Sequence, residues 1–193
     1  MNTLDYIESS RKQFEYYKLL AEKTFAQLTD EQLNWRSDEE ANSISIIVMH
    51  LHGNMLSRWT DFLSTDGEKE WRKREEEFEL QANDRAHILS LWNQGWACLF
   101  SALDSVNNEN ADTLIYIRKM GHSITEAVNR QLAHYAYHVG QIVFIGRMLK
   151  GNEWASLSIP KGHSQVYNQE KFSQEKRKEH FTDQILKDKE PKK

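Results

Sequence analysis

The sequence predicts an all-α chain, a four-helix bundle with a charged C-terminal extension, on three observations. Helix breakers are scarce: 8 glycines and 2 prolines occur in 193 residues, and both prolines, Pro160 and Pro191, fall near the end. Proline removes a backbone donor and clashes with the preceding turn, so its absence from the first 150 or so residues keeps long helices open. Apolar residues then recur at helical spacing over four long stretches. Finally, 6 Trp, 7 Tyr and 8 Phe supply bulky side chains for one core. The length suits a single domain, assigned to residues 1–168, followed by a charged tail over 169–193.

The first helix is expected over residues 3–27, with Tyr6, Ile7, Phe14, Tyr17, Leu20 and Phe25 as its apolar stripe. In LTDEQLNWR (28–36), Thr29 followed by two acids can cap a short helical turn. Ser43 offers the N-cap of the second long helix, about 44–63, whose stripe is Ile44, Ile47, Val48, Leu51, Met55 and Phe62. A charged connection (64–82), anchored by Trp71 and Phe78, leads to a third helix near 83–106 carrying Ile88, Leu91, Trp92, Trp96, Leu99 and Leu103. Leu114 and Tyr116 alternate, which suits a short extended segment. Ser123 or Thr125 can then cap a fourth helix over 124–150, closed by Gly151. From Gln169 the chain is highly charged and reads as a solvated helix or a frayed tail.

Charge and composition exclude several function classes. A net charge of −4 with no basic face argues against nucleic acid. One cysteine, Cys98, excludes an internal disulfide framework and suits a reducing cytoplasm. The N-terminal MNTLDYIESSRKQ has acids where a signal peptide carries its apolar centre. The longest stretches free of Asp, Glu, Lys and Arg, 41–57 and 86–103, contain His, Asn and Ser and read as buried helices rather than membrane spans. A cytoplasmic protein is expected.

His134 and His138 carry the sharpest chemical signal. Four residues apart on a helix, their imidazoles project from adjacent turns and can bind one metal ion together. With Ile124, Ala127, Gln131, Tyr135, Ile142, Ile145 and Leu149 they fall within one arc of about 100°, so they face inward. Two separately hydrogen-bonded core histidines are the alternative. Position 135 is Tyr, so the zincin motif is not present. A third ligand must come from another helix. His50 and His52 flank opposite edges of the second helix's stripe, roughly 200° apart, and periodicity does not choose between them. Gly53 would let a neighbouring helix approach. His87, His122, His163 and His180 are expected in solvent.

SISIIVMHLHGNMLSRWTDFL (43–63), DGEKEWRKREEEF (66–78) and QLAHYAYHVGQIVFIGRML (131–149) resemble the DinB-like (DinB/YfiT) superfamily. More narrowly, the chain is similar to a bacterial subfamily of unknown function whose members also end in a segment like WASLSIPKG (154–162). The resemblance covers about residues 3–168. It implies a four-helix bundle of up-down-down-up order, often paired as a homodimer. It also implies one divalent metal, zinc or nickel first and iron or manganese as alternatives, held by His50, His134 and His138. The choice of His50 over His52 rests on this resemblance alone.

Three protein ligands leave an ion open to substrate, which is a catalytic rather than a structural geometry. The resemblance implies either a low-molecular-weight-thiol S-transferase, using a thiol of bacillithiol type, or a metal-dependent hydrolase acting through water activated on the ion. A non-enzymatic metal-binding or interaction bundle is the third reading. Direction from the ligands nominates Asn54 and Gln141 as supporting residues, with Tyr137 more peripheral, and Arg58 as a cation for an anionic substrate. Cys98 reads as a small buried apolar residue, Trp59, Trp92 and Trp96 as core or interface residues, and the run 68–79 as solvated surface.

Overall fold

The computed structural model describes residues 2–79 and 84–187. It is mostly helical, with one small sheet. The helices are α1 (Thr3–Phe25), α2 (Asp30–Asn34), α3 (Ile44–Trp59), α4 (Arg85–Asp104), α5 (Ile124–Lys150), α6 (Ser164–Phe172) and α7 (Asp183–Lys187). A 3-10 turn, Glu75–Phe78, lies between α3 and α4, and strands β1 (Leu114–Ile117) and β2 (Met120–Ser123) form an antiparallel hairpin before α5.

Short polar side chains set the helix starts. Asn2, Thr29, Ser43, Asp84 and Ser123 each accept a backbone N–H from the first turn that follows, a contribution of about 1 kcal/mol apiece. Thr29 with Gln32 and Ser123 with Glu126 complete reciprocal capping boxes. Gly151, at φ 54°, ends α5 in the left-handed region, where glycine meets no Cβ penalty. α3 ends four residues before the expected 63. Thr60 turns extended and Asp61 takes φ 48°, and the Asp61 carbonyl accepts from Ser64 and Thr65. α4 begins at Arg85 behind Asp84; the Asn83 start and the last part of the 64–82 connection lie outside the described residues.

Contacts along the long helices fix their relative directions. Tyr6 reaches Asn129, Phe14 packs on Tyr135, and Thr24 lies against Gly146, so positions rise together along α1 and α5. Gly95 abuts His52, and the Cys98 thiol lies by the Met55 carbonyl and Thr60, so α3 and α4 also run in parallel. α1 opposes α4, with Phe14 at Trp96 and Phe25 at Trp92. The largest fully buried side chains are Phe14 and Phe25 of α1, Trp92 and Trp96 of α4 and Tyr135 of α5. Trp59 is buried as well, and Cys98 is half-buried with its thiol pushed up by burial.

The hairpin matches the expected extended segment, with Ile115 and Ile117 buried and Leu114 and Tyr116 exposed. Its turn residues Arg118 and Lys119 have φ 54° and 63°. Asp66 accepts both of their backbone N–H groups, at 2.8 and 2.7 Å, which ties the turn to the loop after α3. Part of the charged extension returns to α1 instead of remaining in solvent. Thr182 is fully buried, Lys12 pairs with Asp183 at 3.0 Å, and the Phe181 ring meets Tyr16. α6 spans the 168/169 boundary and has no buried residue.

Candidate metal centre

α3 and α5 meet so that His50 comes to face His134 and His138. The helical pair behaves as its spacing requires: His138 Nε2 lies 3.1 Å from His134 Nε2, and His50 Nε2 lies 3.4 Å from the same atom. Two nitrogens bound to one tetrahedral ion at about 2.1 Å sit roughly 3.4 Å apart, so these separations are close to those of a shared coordination sphere. His50 and His138 are buried and His134 is half-buried. His52 points elsewhere, toward a surface hollow lined also by His87 and Trp71. The ambiguity that periodicity left between His50 and His52 is therefore one of helix rotation, and packing on α5 selects His50 for the cluster.

The second nitrogen of two rings is already committed. His50 Nδ1 lies 2.9 Å from Glu77 Oε2, and His138 Nδ1 lies 3.0 Å from Gln141 Oε1. An oxygen acceptor on Nδ1 makes that nitrogen the N–H donor and leaves Nε2 as a lone pair. His134 Nε2 can donate a proton to one of these two lone pairs but not to both. A metal ion replaces that proton and can accept from all three nitrogens, so the donor set fits a divalent ion. Burial first, then the neighbouring imidazoles, push His134 down to about 3 and His138 down to about 4. Both are therefore neutral near pH 7, the form that coordinates metal.

Glu77 is the residue that sequence reasoning missed. The run 68–79 was expected to be solvated surface, yet Glu77 is buried, and the Arg72 side chain is only 3% exposed. Arg72 donates to Glu77 through Nε (2.8 Å) and Nη2 (2.9 Å), a two-pronged grip that leaves Oε2 aimed at His50. Burial works against the carboxylate, but the hydrogen bonds from His50 and Arg72 outweigh it and hold Glu77 below the usual carboxylate range. Gly53 admits this group: a Cβ there would collide with the Glu77 carboxylate. The close approach expected at Gly53 thus comes from the 3-10 turn rather than from a helix. Phe78, next along the turn, lays its ring 4.9 Å from that of His50, while Trp71, an expected anchor, is exposed.

The nominated supporting residues divide by role. Gln141 holds His138, as above. Asn54 is buried and accepts from the Tyr135 hydroxyl at 3.1 Å, and that hydroxyl accepts from Trp59 Nε1 at 3.0 Å. Arg58 is buried and is held by the Gly67 carbonyl and, at 3.2 Å, by Glu68. Tyr137 is exposed at the rim, its ring 5.0 Å from His138. Asn54, Arg58 and Tyr137 line a cavity of 440 Å³ onto which all three histidines open; Gln141 does not line it. Of the histidines expected in solvent, His87 and His163 are exposed and His122 is half-buried. His180 is the exception by contact, bonded to Ser9 and Thr182 where the extension meets α1.

One known family matches most of the chain. The model of a family described as a protein of unknown function (DUF1572) matches residues 2–163. The chain belongs to this family. It is a DinB/YfiT-like family, as the three sequence segments indicated. No curated protein and no solved structure matches the chain. The matched region ends just before α6, so all three histidines, together with Glu77 and Gln141, lie within the DinB-like part.

No helix among the described residues is long and apolar enough to cross a membrane. The uncharged stretches 41–57 and 86–103 are instead spent on α3 and α4, which contribute to the shared core.

Proposed function

We propose that this DinB-like chain is a divalent-metal enzyme that transfers a low-molecular-weight thiol, of bacillithiol type, to a small electrophile in the bacterial cytoplasm. The observation that carries the reading is the convergence of three imidazole nitrogens, two of them fixed as lone pairs by Glu77 and Gln141, on an open 440 Å³ cavity. The scaffold in this reading is a four-helix bundle of α1, α3, α4 and α5 in up-down-down-up order. The two parallel pairs, α1 with α5 and α3 with α4, support that order. Exposed Tyr137, Phe144 and Met148 along α5 support a homodimer, which light scattering at a mass well above 22.8 kDa would test.

His50, His134 and His138 would hold the ion, zinc or nickel first, since imidazole suits both. Once bound, such an ion supplies a Lewis acid that favours the thiolate form of a thiol. The protein's own residues do the rest. Glu77 and Gln141 fix the tautomers of His50 and His138, so that neither ring has to rotate to present Nε2. With its Oδ1 taken by Tyr135, Asn54 offers the cavity its amide N–H donors. Phe78 and the buried face of α3 keep bulk water from the inner side of the histidines.

The experiment is a conjugation assay with zinc- or nickel-loaded protein, bacillithiol and a panel of electrophiles, followed by mass spectrometry. A conjugate that requires both metal and thiol supports transfer. Loss of substrate without thiol would replace it with hydrolysis. No turnover together with a fourth protein ligand on the ion would replace it with metal storage or association.

A further inference from the structure

We infer that the cavity above the three histidines is built to receive an oxyanion, so that its substrate carries a carboxylate or phosphate group. The inference rests on the reading that this cavity is the substrate site, but not on which reaction occurs there. Five arginines line it, from four separate parts of the chain: Arg58 on α3, Arg72 and Arg74 before α4, Arg118 at the hairpin turn and Arg130 on α5. Among the described residues, no aspartate or glutamate lines it. In a chain of net charge −4 this is a local reversal of sign. Low-dielectric walls focus such a field on an entering ion.

Some of these cations are explained by structure alone. Glu68 takes Arg58 at 3.2 Å, Arg118 at 3.0 Å and Arg72 at 3.7 Å, and Glu77 takes Arg72. These bonds latch the hairpin and the 3-10 turn to α3. They do not account for the rest. Arg74 is half-exposed and lies over the Phe78 ring, the same ring that packs on His50, and its carboxylate partner Glu75 is 89% exposed. Arg130 stands exposed one helical turn before His134, and none of those carboxylates pairs with it. Guanidinium groups therefore exceed the carboxylates that hold them.

Two buried polar atoms at the same wall need partners. Among the described residues, Arg58 Nε and Gln131 Oε1 are buried without a hydrogen bond, although Arg58 is 7% and Gln131 3% exposed. An unmet buried donor beside other guanidinium groups suits an oxyanion, which accepts in the plane of the arginine fork. Gln131 Oε1 supplies an acceptor, for a hydroxyl or N–H carried by the same molecule. The volume admits a small molecule and not a polymer.

The test uses full-length protein, first stripped with a chelator so that no anion can bind through a metal. It is titrated calorimetrically with succinate, with inorganic phosphate and with neutral succinamide. Either anion should bind and succinamide should not, with affinity falling as chloride is added. Which anion binds tighter identifies the group as carboxylate or phosphate. Arg130→Gln and Arg74→Gln, both exposed and remote from the core, should each weaken binding about fivefold, and more than tenfold together. Zinc affinity of both variants should stay at the wild-type value. Equal binding of succinamide, no binding of either anion, or an unaltered double variant would overturn the inference. Anion binding by a protein that takes up no zinc would instead remove the metal reading and leave this one standing.

Discussion

Replacing Glu77 should weaken metal binding although Glu77 touches no metal in the proposed site. Its Oε2 accepts from His50 Nδ1 at 2.9 Å while Arg72 grips both oxygens. Glu77→Gln keeps the shape but loses the charge, and its amide has a single oxygen to satisfy His50 and Arg72. His50 then loses its fixed tautomer in part of the population. Changes at such positions lower metal affinity by about 10–100-fold, or roughly 1.4–2.7 kcal/mol. Glu77→Ala adds a separate penalty, because it leaves the Arg72 guanidinium buried with only Glu68, 3.7 Å away. Stranding one member of a buried pair costs about 3–5 kcal/mol of stability, and the Glu68 contact places this case at the low end. Gly53→Ala offers an independent route to the same state, since its Cβ must displace the Glu77 carboxylate while every histidine is untouched. Competition for zinc against a chromophoric chelator measures all three. Wild-type zinc affinity in both Glu77→Gln and Gly53→Ala would refute the account of how His50 is held.

His134→Ala or His138→Ala should reduce bound metal to a small fraction of stoichiometric by elemental analysis, while His163→Ala and His180→Ala should not; a full equivalent in the His134/His138 double variant would sink the ligand set. Because burial holds His134 near 3 and His138 near 4 in the folded chain, against about 6.5 when unfolded, the unfolded state binds more protons below that value. Stability is thus intact above pH ~6.5 and falls on acidification toward pH 4, by at most about 2 kcal/mol per residue at pH 5 before partial exposure is allowed for. Metal-loaded protein should fall further, as protons displace the ion, until its thermal melts meet those of chelated protein; curves that coincide from pH 8 to 5 would exclude a histidine-held ion. Gly146→Val should cost about 1–3 kcal/mol in denaturant titration, because the α1–α5 contact at Thr24 leaves no room for a Cβ; an unchanged midpoint would mean that the two helices pack differently.

The parts of the fold and site governed by local rules were legible in the sequence. A capping side chain acts on a backbone N–H three residues away, so Thr29 and Ser43 could be read directly, and the cap of α5 was narrowed to Ser123 or Thr125, of which the fold uses Ser123. The i, i+4 spacing of His134 and His138 fixes their direction whatever surrounds them. His50 is different. It and His52 flank the same apolar stripe, and which one meets α5 depends on helix rotation, a tertiary quantity. Glu77 was hidden for a stronger reason. In a run where nearly every residue is charged, nothing local separates a buried carboxylate from a solvated one, and its burial is created by Gly53 on α3 and by Arg72. A signal was available in the two residues taken together: a glycine one turn after His50 marks a space, and Phe78 marks where the charged run turns inward. The end of α3 at Trp59 had no such marker, since TDFLS contains no breaker and the turn depends on the left-handed backbone of Asp61.

How the polar groups of this core are satisfied also says where its chemistry must be. Trp59 donates to Tyr135, and Tyr135 donates to Asn54, so that chain is closed. Arg72, Glu77 and His50 Nδ1 form a second closed set, and Gln141 closes His138 Nδ1. Fully paired networks of this kind rigidify what they touch, and each of these sets runs up to the cavity and stops there. What they leave open are the three convergent Nε2 atoms, the Arg58 Nε donor and the Gln131 Oε1 acceptor, all on residues lining the same cavity. The indole N–H groups of Trp92 and Trp96, also buried without partners, are single donors on large apolar rings in the packed core, and His52 Nε2 belongs to the separate hollow beside His87. A sequence selected for stability alone would not hold two imidazole lone pairs rigidly toward a third ring that can donate to only one of them, since the pair left unmatched in a buried site is a cost to folding. The networks behind the histidines hold that unfavourable arrangement in place, and a ligand that relieves it stabilises the fold by binding. In the proposed site an ion at the three nitrogens and an oxyanion at the arginines would meet opposite needs of one cavity, and each would lower the cost of bringing the other close.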